Sequence, residues 1–71
     1  MELIINGQAR GFAELAAGAT LEDLLKTMGL QQDRVAVERN GTIVARSSWA
    51  ATAIDEGDRF EIVHFVGGGI G

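Results

Sequence analysis

Glu2-Leu3-Ile4-Ile5-Asn6-Gly7-Gln8-Ala9-Arg10 joins an apolar run to a polar one through Asn-Gly. That pair tolerates positive φ and favours the type I′ turn between two antiparallel strands. The spacing predicts a hairpin with strands over 2–5 and 8–12. Further on, Val35-Ala36-Val37-Glu38-Arg39 and Thr42-Ile43-Val44-Ala45 flank Asn40-Gly41, a second hairpin with the same chemistry, whose alternation leaves one face to solvent. Between the hairpins, Thr20 stands three residues before Asp23 at the head of an apolar run, a short-acid form of the capping box. Leu21, Leu24, Leu25 and Met28 follow at i, i+3, i+4 and i+7 and share one helix face, while Glu22 and Lys26 pair on the other. Gly29 supplies a left-handed cap.

The remaining segments are less regular. Residues 15–19 read as a loose connection. Residues 46–54 show no clear period, and Trp49 is the expected anchor of that stretch to the core. Asp55-Glu56-Gly57-Asp58 is a polar turn. Residues 59–66 then form the last strand, with Phe60 and Ile62 on one face and Glu61, Val63 and Phe65 on the other. The order hairpin, helix, hairpin, crossover, strand packs most simply as an α+β layer structure. It predicts a mixed sheet of four to five strands with one main helix across one face. If Phe60 and Ile62 meet the helix, Val63 and Phe65 lie exposed on the open face as a docking patch; a loop covering Phe65 is the alternative.

A chain of 71 residues allows one domain, which at this size buries about 60% of its unfolded surface. The hydrophobic share of 46% and charged share of 23% are those of a globular chain. With no cysteine there is no disulfide or thiolate nucleophile, and with His64 as the only histidine no metal-ligand spacing arises. Ser47 and Ser48 are the only serines, and nothing local ties them to His64 as a catalytic set. The net charge is -4, and Arg10, Lys26, Arg34, Arg39, Arg46 and Arg59 stand singly. Nucleic acid is therefore an unsuitable partner, and a protein with a basic docking face a suitable one. Met1-Glu2 lacks a basic n-region, and no apolar stretch approaches the roughly 20 residues that span a bilayer. A cytoplasmic protein without a membrane association is expected.

After the last strand the sequence runs Val66-Gly67-Gly68-Gly69-Ile70-Gly71. These glycines lack the following helix and the Lys-Ser/Thr pair of a phosphate-binding loop. No cofactor site is visible, and any ATP used on this chain belongs to a partner. An anchored strand continued by residues without side chains makes a thin arm, reaching roughly 15 Å over 66–71 at about 3.3 Å per residue. Such an arm enters active sites too narrow for ordinary peptides, and its reactive group is the terminal carboxylate. A floppy terminus is the plainer reading of the same glycines.

The whole chain resembles the sulfur-carrier proteins of bacterial thiamine biosynthesis. The likeness lies in Glu2-Leu3-Ile4-Ile5-Asn6-Gly7, Thr20-Leu21-Glu22-Asp23-Leu24-Leu25, Val35-Ala36-Val37-Glu38, Gly57-Asp58-Arg59-Phe60-Glu61-Ile62-Val63 and Phe65-Val66-Gly67-Gly68-Gly69. The resemblance implies a ubiquitin-like β-grasp domain over 1–66 with a flexible glycine-rich tail over 67–71. It implies a carrier acted on by enzymes and not itself an enzyme. An E1-like adenylyltransferase spends ATP to convert the tail carboxylate to an acyl-adenylate, a cysteine desulfurase system supplies sulfur, and the thiocarboxylate serves a thiazole synthase. Val63, Phe65, Val66 and Gly67 are the implied partner contacts, and the free protein is expected to be a monomer.

The family's working terminus is Gly-Gly, whereas here Ile70-Gly71 follow. A β-branched Ile70 obstructs a channel shaped for glycine, which predicts trimming after Gly69, so that Gly68-Gly69 form the active end. The alternatives are that Gly71 carries the sulfur untrimmed, or that the last pair is extraneous. Carriers for molybdopterin or cysteine synthesis share this fold and tail. A β-grasp binding module that works through its open sheet face is a further alternative.

Overall fold

Both Asn-Gly pairs turn with positive φ at both residues, Asn6 at 50° and Gly7 at 84°, Asn40 at 49° and Gly41 at 88°. The computed structural model describes residues 1–65. The first turn joins β1 (Glu2–Ile5) to β2 (Gln8–Gly11). The second joins β3 (Val35–Arg39) to β4 (Thr42–Val44). β5 (Arg59–His64) lies between the hairpins, parallel to β1 and antiparallel to β3, giving one five-stranded mixed sheet in the order β2-β1-β5-β3-β4. The strand next to the glycine run is thus the middle strand of the sheet.

Helix α1 (Leu21–Thr27) opens with the capping box read from Thr20 and Asp23: the Asp23 N–H donates to Thr20 Oγ1 at 3.2 Å, and the Thr20 N–H to Asp23 Oδ2 at 2.9 Å. Gly29 follows at φ 74°. Leu21, Leu24 and Leu25 are fully buried, Met28 packs against them, and Lys26 meets Glu22 at 3.8 Å on the outer side. They cover Leu3 and Ile5 of β1, Val35 and Val37 of β3, and Phe60 and Ile62 of β5 in one apolar cluster. Every one of those strand residues sits at an alternate position, so one sheet face is spent on the core and the other is left open.

The second strand is shorter than the predicted 8–12. Phe12 leaves it, donates its N–H to Met1 O at 2.8 Å and turns its ring into the core. Residues 46–54, which show neither a strand nor an α-helix period, contain a 3-10 helix, Arg46–Ala51, whose repeat of three matches neither template. Trp49 is its buried anchor and donates Nε1–H to Val44 O at 2.9 Å. A shorter 3-10 turn, Gln32–Arg34, precedes β3 and was not expected from the sequence. The last strand, expected over 59–66, is described to His64. Pairing continues one step further, through the Phe65 N–H to Arg34 O at 2.8 Å. Val66 lies outside the described residues. No described helix is long and apolar enough to cross a membrane.

Candidate functional site

β5 leads in sequence to the glycine run, and its main chain is held on both sides. Toward β3 it pairs through five registered positions, from Arg39↔Phe60 to Val35↔His64. Toward β1 the ladder covers only Ile4↔Arg59 and Ile5↔Phe60, because β1 turns away at Asn6. The Asn6 carboxamide replaces the missing strand: Ile62 N–H donates to Asn6 Oδ1 at 2.7 Å, and Asn6 Nδ2 donates to Ile62 O at 3.2 Å. Asn40 acts similarly at the start of β5, where its Oδ1 accepts the Arg59 N–H at 3.0 Å and its own N–H donates to Arg59 O at 2.7 Å. Sequence reading assigned both asparagines to turns alone. Their second use was not visible, since it depends on a strand reached only after a long connection.

The open face of β5 then reads Arg59, Glu61, Val63, Phe65. Phe60 and Ile62 are 1% and 5% exposed, whereas Val63 is 59% and Phe65 57% exposed. The face assignment made from alternation is therefore correct, and no described loop covers Phe65. Ile43 of β4, which sequence reading did not single out, is 74% exposed. The available signal was its place between two residues of an edge strand. His64 falls in the same alternating set as Phe60 and Ile62 but is exposed, and no described Ser or Asp hydrogen-bonds to it.

At the other end of β5, Asp58 is buried and gathers three donors. Arg39 Nε donates at 2.9 Å, Asn40 Nδ2 at 3.3 Å and the Asp55 N–H at 2.8 Å. Burial by itself raises the carboxyl pKa, but the Asp55 amide, the Arg39 and Asn40 hydrogen bonds and the Arg39 charge outweigh it, and the result lies below the usual value. Among the described residues no group of three or more His, Asp or Glu is arranged to hold a metal ion. The sequence-derived contacts Val66 and Gly67 and the candidate sulfur-bearing Gly68, Gly69 and Gly71 lie outside the described residues. Val63 and Phe65, by contrast, are brought to the point where β5 meets them.

A five-stranded mixed sheet with one helix across one face, its middle strand leading into a glycine run, defines a β-grasp domain of the ubiquitin-like kind. The model of the ThiS family matches residues 3–69, and the chain belongs to that family. It is 32% identical over 69 residues to the sulfur carrier protein ThiS of Escherichia coli, covering 97% of this chain and 100% of that protein. A solved structure of a thiamine biosynthesis protein (ThiS) from Geobacter metallireducens superimposes with a TM-score of 0.81 at 33% identity, over 97% of this chain and 100% of that one. The chain is also 49% identical over 69 residues to a thiazole synthase of Paramagnetospirillum magneticum. It spans 97% of its own length but only 20% of that protein's.

Proposed function

We propose that this protein is a sulfur carrier for thiazole formation in thiamine biosynthesis, acted on by enzymes and without catalysis of its own. The observation that carries the reading is the family match running through Gly69, the last residue of the glycine run that continues from β5. An E1-like adenylyltransferase activates the arm's carboxylate with ATP, making AMP a leaving group on an otherwise poor electrophile. A protein persulfide from a cysteine desulfurase system displaces AMP to form an acyl disulfide. A thiol then cleaves its S–S bond, leaving the thiocarboxylate on the carrier and a disulfide on the donor, so a nucleophilic sulfur is carried by a chain that has no cysteine. The likeness to a segment of a thiazole synthase favours that enzyme as recipient over the molybdopterin and cysteine pathways.

The sulfur-bearing residue is Gly69, exposed by hydrolysis of the Gly69–Ile70 peptide bond. Water adds across that bond, Gly69 gains the carboxylate and Ile70 the amine. Mass spectrometry of the intact untagged protein, recovered from its native host under thiamine limitation, tests both steps. The expected species ends at Gly69 with one oxygen replaced by sulfur. Sulfur found on an uncleaved chain ending at Gly71 overturns the trimming step, and an unmodified chain favours a binding module.

Val63 and Phe65 form the apolar part of the docking face beside the arm. Phe65→Ala is expected to weaken binding to the adenylyltransferase about tenfold, in line with loss of one aromatic anchor. Its melting temperature should stay within about 3 °C, because an exposed side chain contributes little to the core. Titration calorimetry and a thermal melt check the two halves; a large stability loss with unchanged binding would make Phe65 a structural residue.

A further inference from the structure

The open sheet face holds a second feature away from the apolar pair. Register sets Glu61 of β5 opposite Glu38 of β3, and Glu38 opposite Ile43 of β4. Directly opposed residues on one face have Cβ atoms about 5 Å apart, where like charges repel. Neither carboxylate has an ion-pair partner among the described residues, whose ion pairs are Lys26 with Glu22 and Arg39 with Asp55 and Asp58. Arg59 is next along the same face of β5 and forms no ion pair with either of them. Residues 66–71 contain no charged side chain to neutralise them. Glu38, Glu61, Asn40, Gly41 and Arg59 line a shallow depression of about 370 Å³. Val63, opposite Ala36, and Ile43 border it with exposed apolar surface.

We propose that this face docks a partner protein presenting an arginine flanked by apolar side chains, its guanidinium bridging Glu38 and Glu61 while its neighbours cover Val63, Phe65 and Ile43. Two opposed carboxylates that form no ion pair among the described residues are complementary to a planar guanidinium, whose several N–H donors address both at once; an ammonium does so less well. The repulsion in the free protein is relieved on docking, so the pair discriminates partners as well as attracting them. A nucleic acid is repelled by the same charges. The inference rests on the carrier reading, and it assigns the arginine to the adenylyltransferase.

The test compares Glu38→Gln, Glu61→Gln and the double reversal Glu38→Lys/Glu61→Lys, titrated into the adenylyltransferase at low and at physiological salt. The double reversal is expected to weaken binding at least about tenfold with reduced salt dependence, while adenylation at saturating carrier keeps its kcat. Glu61→Gln alone should raise the melting temperature by about 1–3 °C as the repulsion goes, an effect a merely solvated surface pair would not give. The Gln variants keep the side-chain shape, so the test survives a reversal that fails to fold. Unchanged affinity for all three variants overturns the proposal, and where Phe65→Ala still weakens binding the carrier reading stands without it. Weakened binding to thiazole synthase alone overturns the choice of adenylyltransferase. If the wild-type chain neither binds that enzyme nor acquires sulfur, the failure is that of the carrier reading itself.

Discussion

Deleting residues 68–71 is expected to reduce sulfur transfer to background while leaving affinity for the adenylyltransferase within about threefold, less than 1 kcal/mol. The two readouts separate because they draw on different parts of the chain. Val63 and Phe65 present their side chains from an ordered sheet that the deletion does not touch. The glycines offer a partner only main-chain contacts, and ordering them costs more conformational entropy than any other residue. Their net contribution to binding is therefore small, whereas the chemistry has no other carboxylate at the end of an arm. Thiocarboxylate formation is followed by mass spectrometry and affinity by calorimetry. An adaptor that works through its sheet face acquires no sulfur even when intact and keeps its affinity after deletion, and a protein whose tail is its main anchor loses affinity together with transfer. Either result would overturn the carrier mechanism as stated.

The same division explains why β5 is held so firmly. An arm that delivers its end atom into a buried site needs a fixed point of departure, since uncertainty at its root is added to uncertainty at its tip. β1 pairs with β5 over only two positions, and the Asn6 carboxamide takes up the next pair of main-chain groups at Ile62. Asn40 and Asp58 secure the opposite end of the strand. Stiffness is thus built up to the last paired residue, Phe65. Val66 follows in sequence, and then the glycines Gly67-Gly68-Gly69.

Both hairpins were legible because Asn-Gly makes a local demand for positive φ that few other pairs meet. The α1 face was legible from Leu21, Leu24, Leu25 and Met28, and the exposure of Val63 and Phe65 from simple alternation. These features depend on neighbours in sequence. What escaped depends on distant partners or on a different period: the 3-10 helix Arg46–Ala51, the position of β5 between β1 and β3, the Asn6 bonds to Ile62 across 56 residues, and the opposition of Glu38 to Glu61. Alternation fixes the face each glutamate takes, but a two-residue shift of register would have separated them while keeping the buried face, and alternation alone does not choose between such shifts. The readings of residues 66–71 fall outside the described residues, and the sulfur-bearing role of the glycines stands as a proposal.

Asp58→Ala is the substitution expected to cost the domain most among those proposed, about 2–3 kcal/mol against a total stability of roughly 4–11 kcal/mol for a chain of this length. The change removes the acceptor for Arg39, Asn40 and the Asp55 amide together. It leaves Arg39, whose side chain is 26% exposed, with Asp55 alone at 3.1 Å. That residual partner and partial hydration keep the estimate below the full penalty of an orphaned buried charge. A fall in melting temperature of about 10–20 °C follows for a domain this small. The pH dependence carries the same information. Because the folded Asp58 pKa lies below the unfolded value of 3.8, its stabilisation is fully present above that value and is lost as pH falls through the lowered folded one. Asp23, lowered by its bonds with the Thr20 backbone and side chain, adds to the loss in the same direction. Wild-type urea midpoints should therefore hold steady above about pH 5 and drop below about pH 4, with a shallower acid limb in Asp58→Ala. A variant that melts within about 3 °C of wild type, with an equally steep acid limb, would show that the backbone bonds from Asp58 N–H to Asp55 O and from Ile4 N–H to Asp58 O hold the turn unaided.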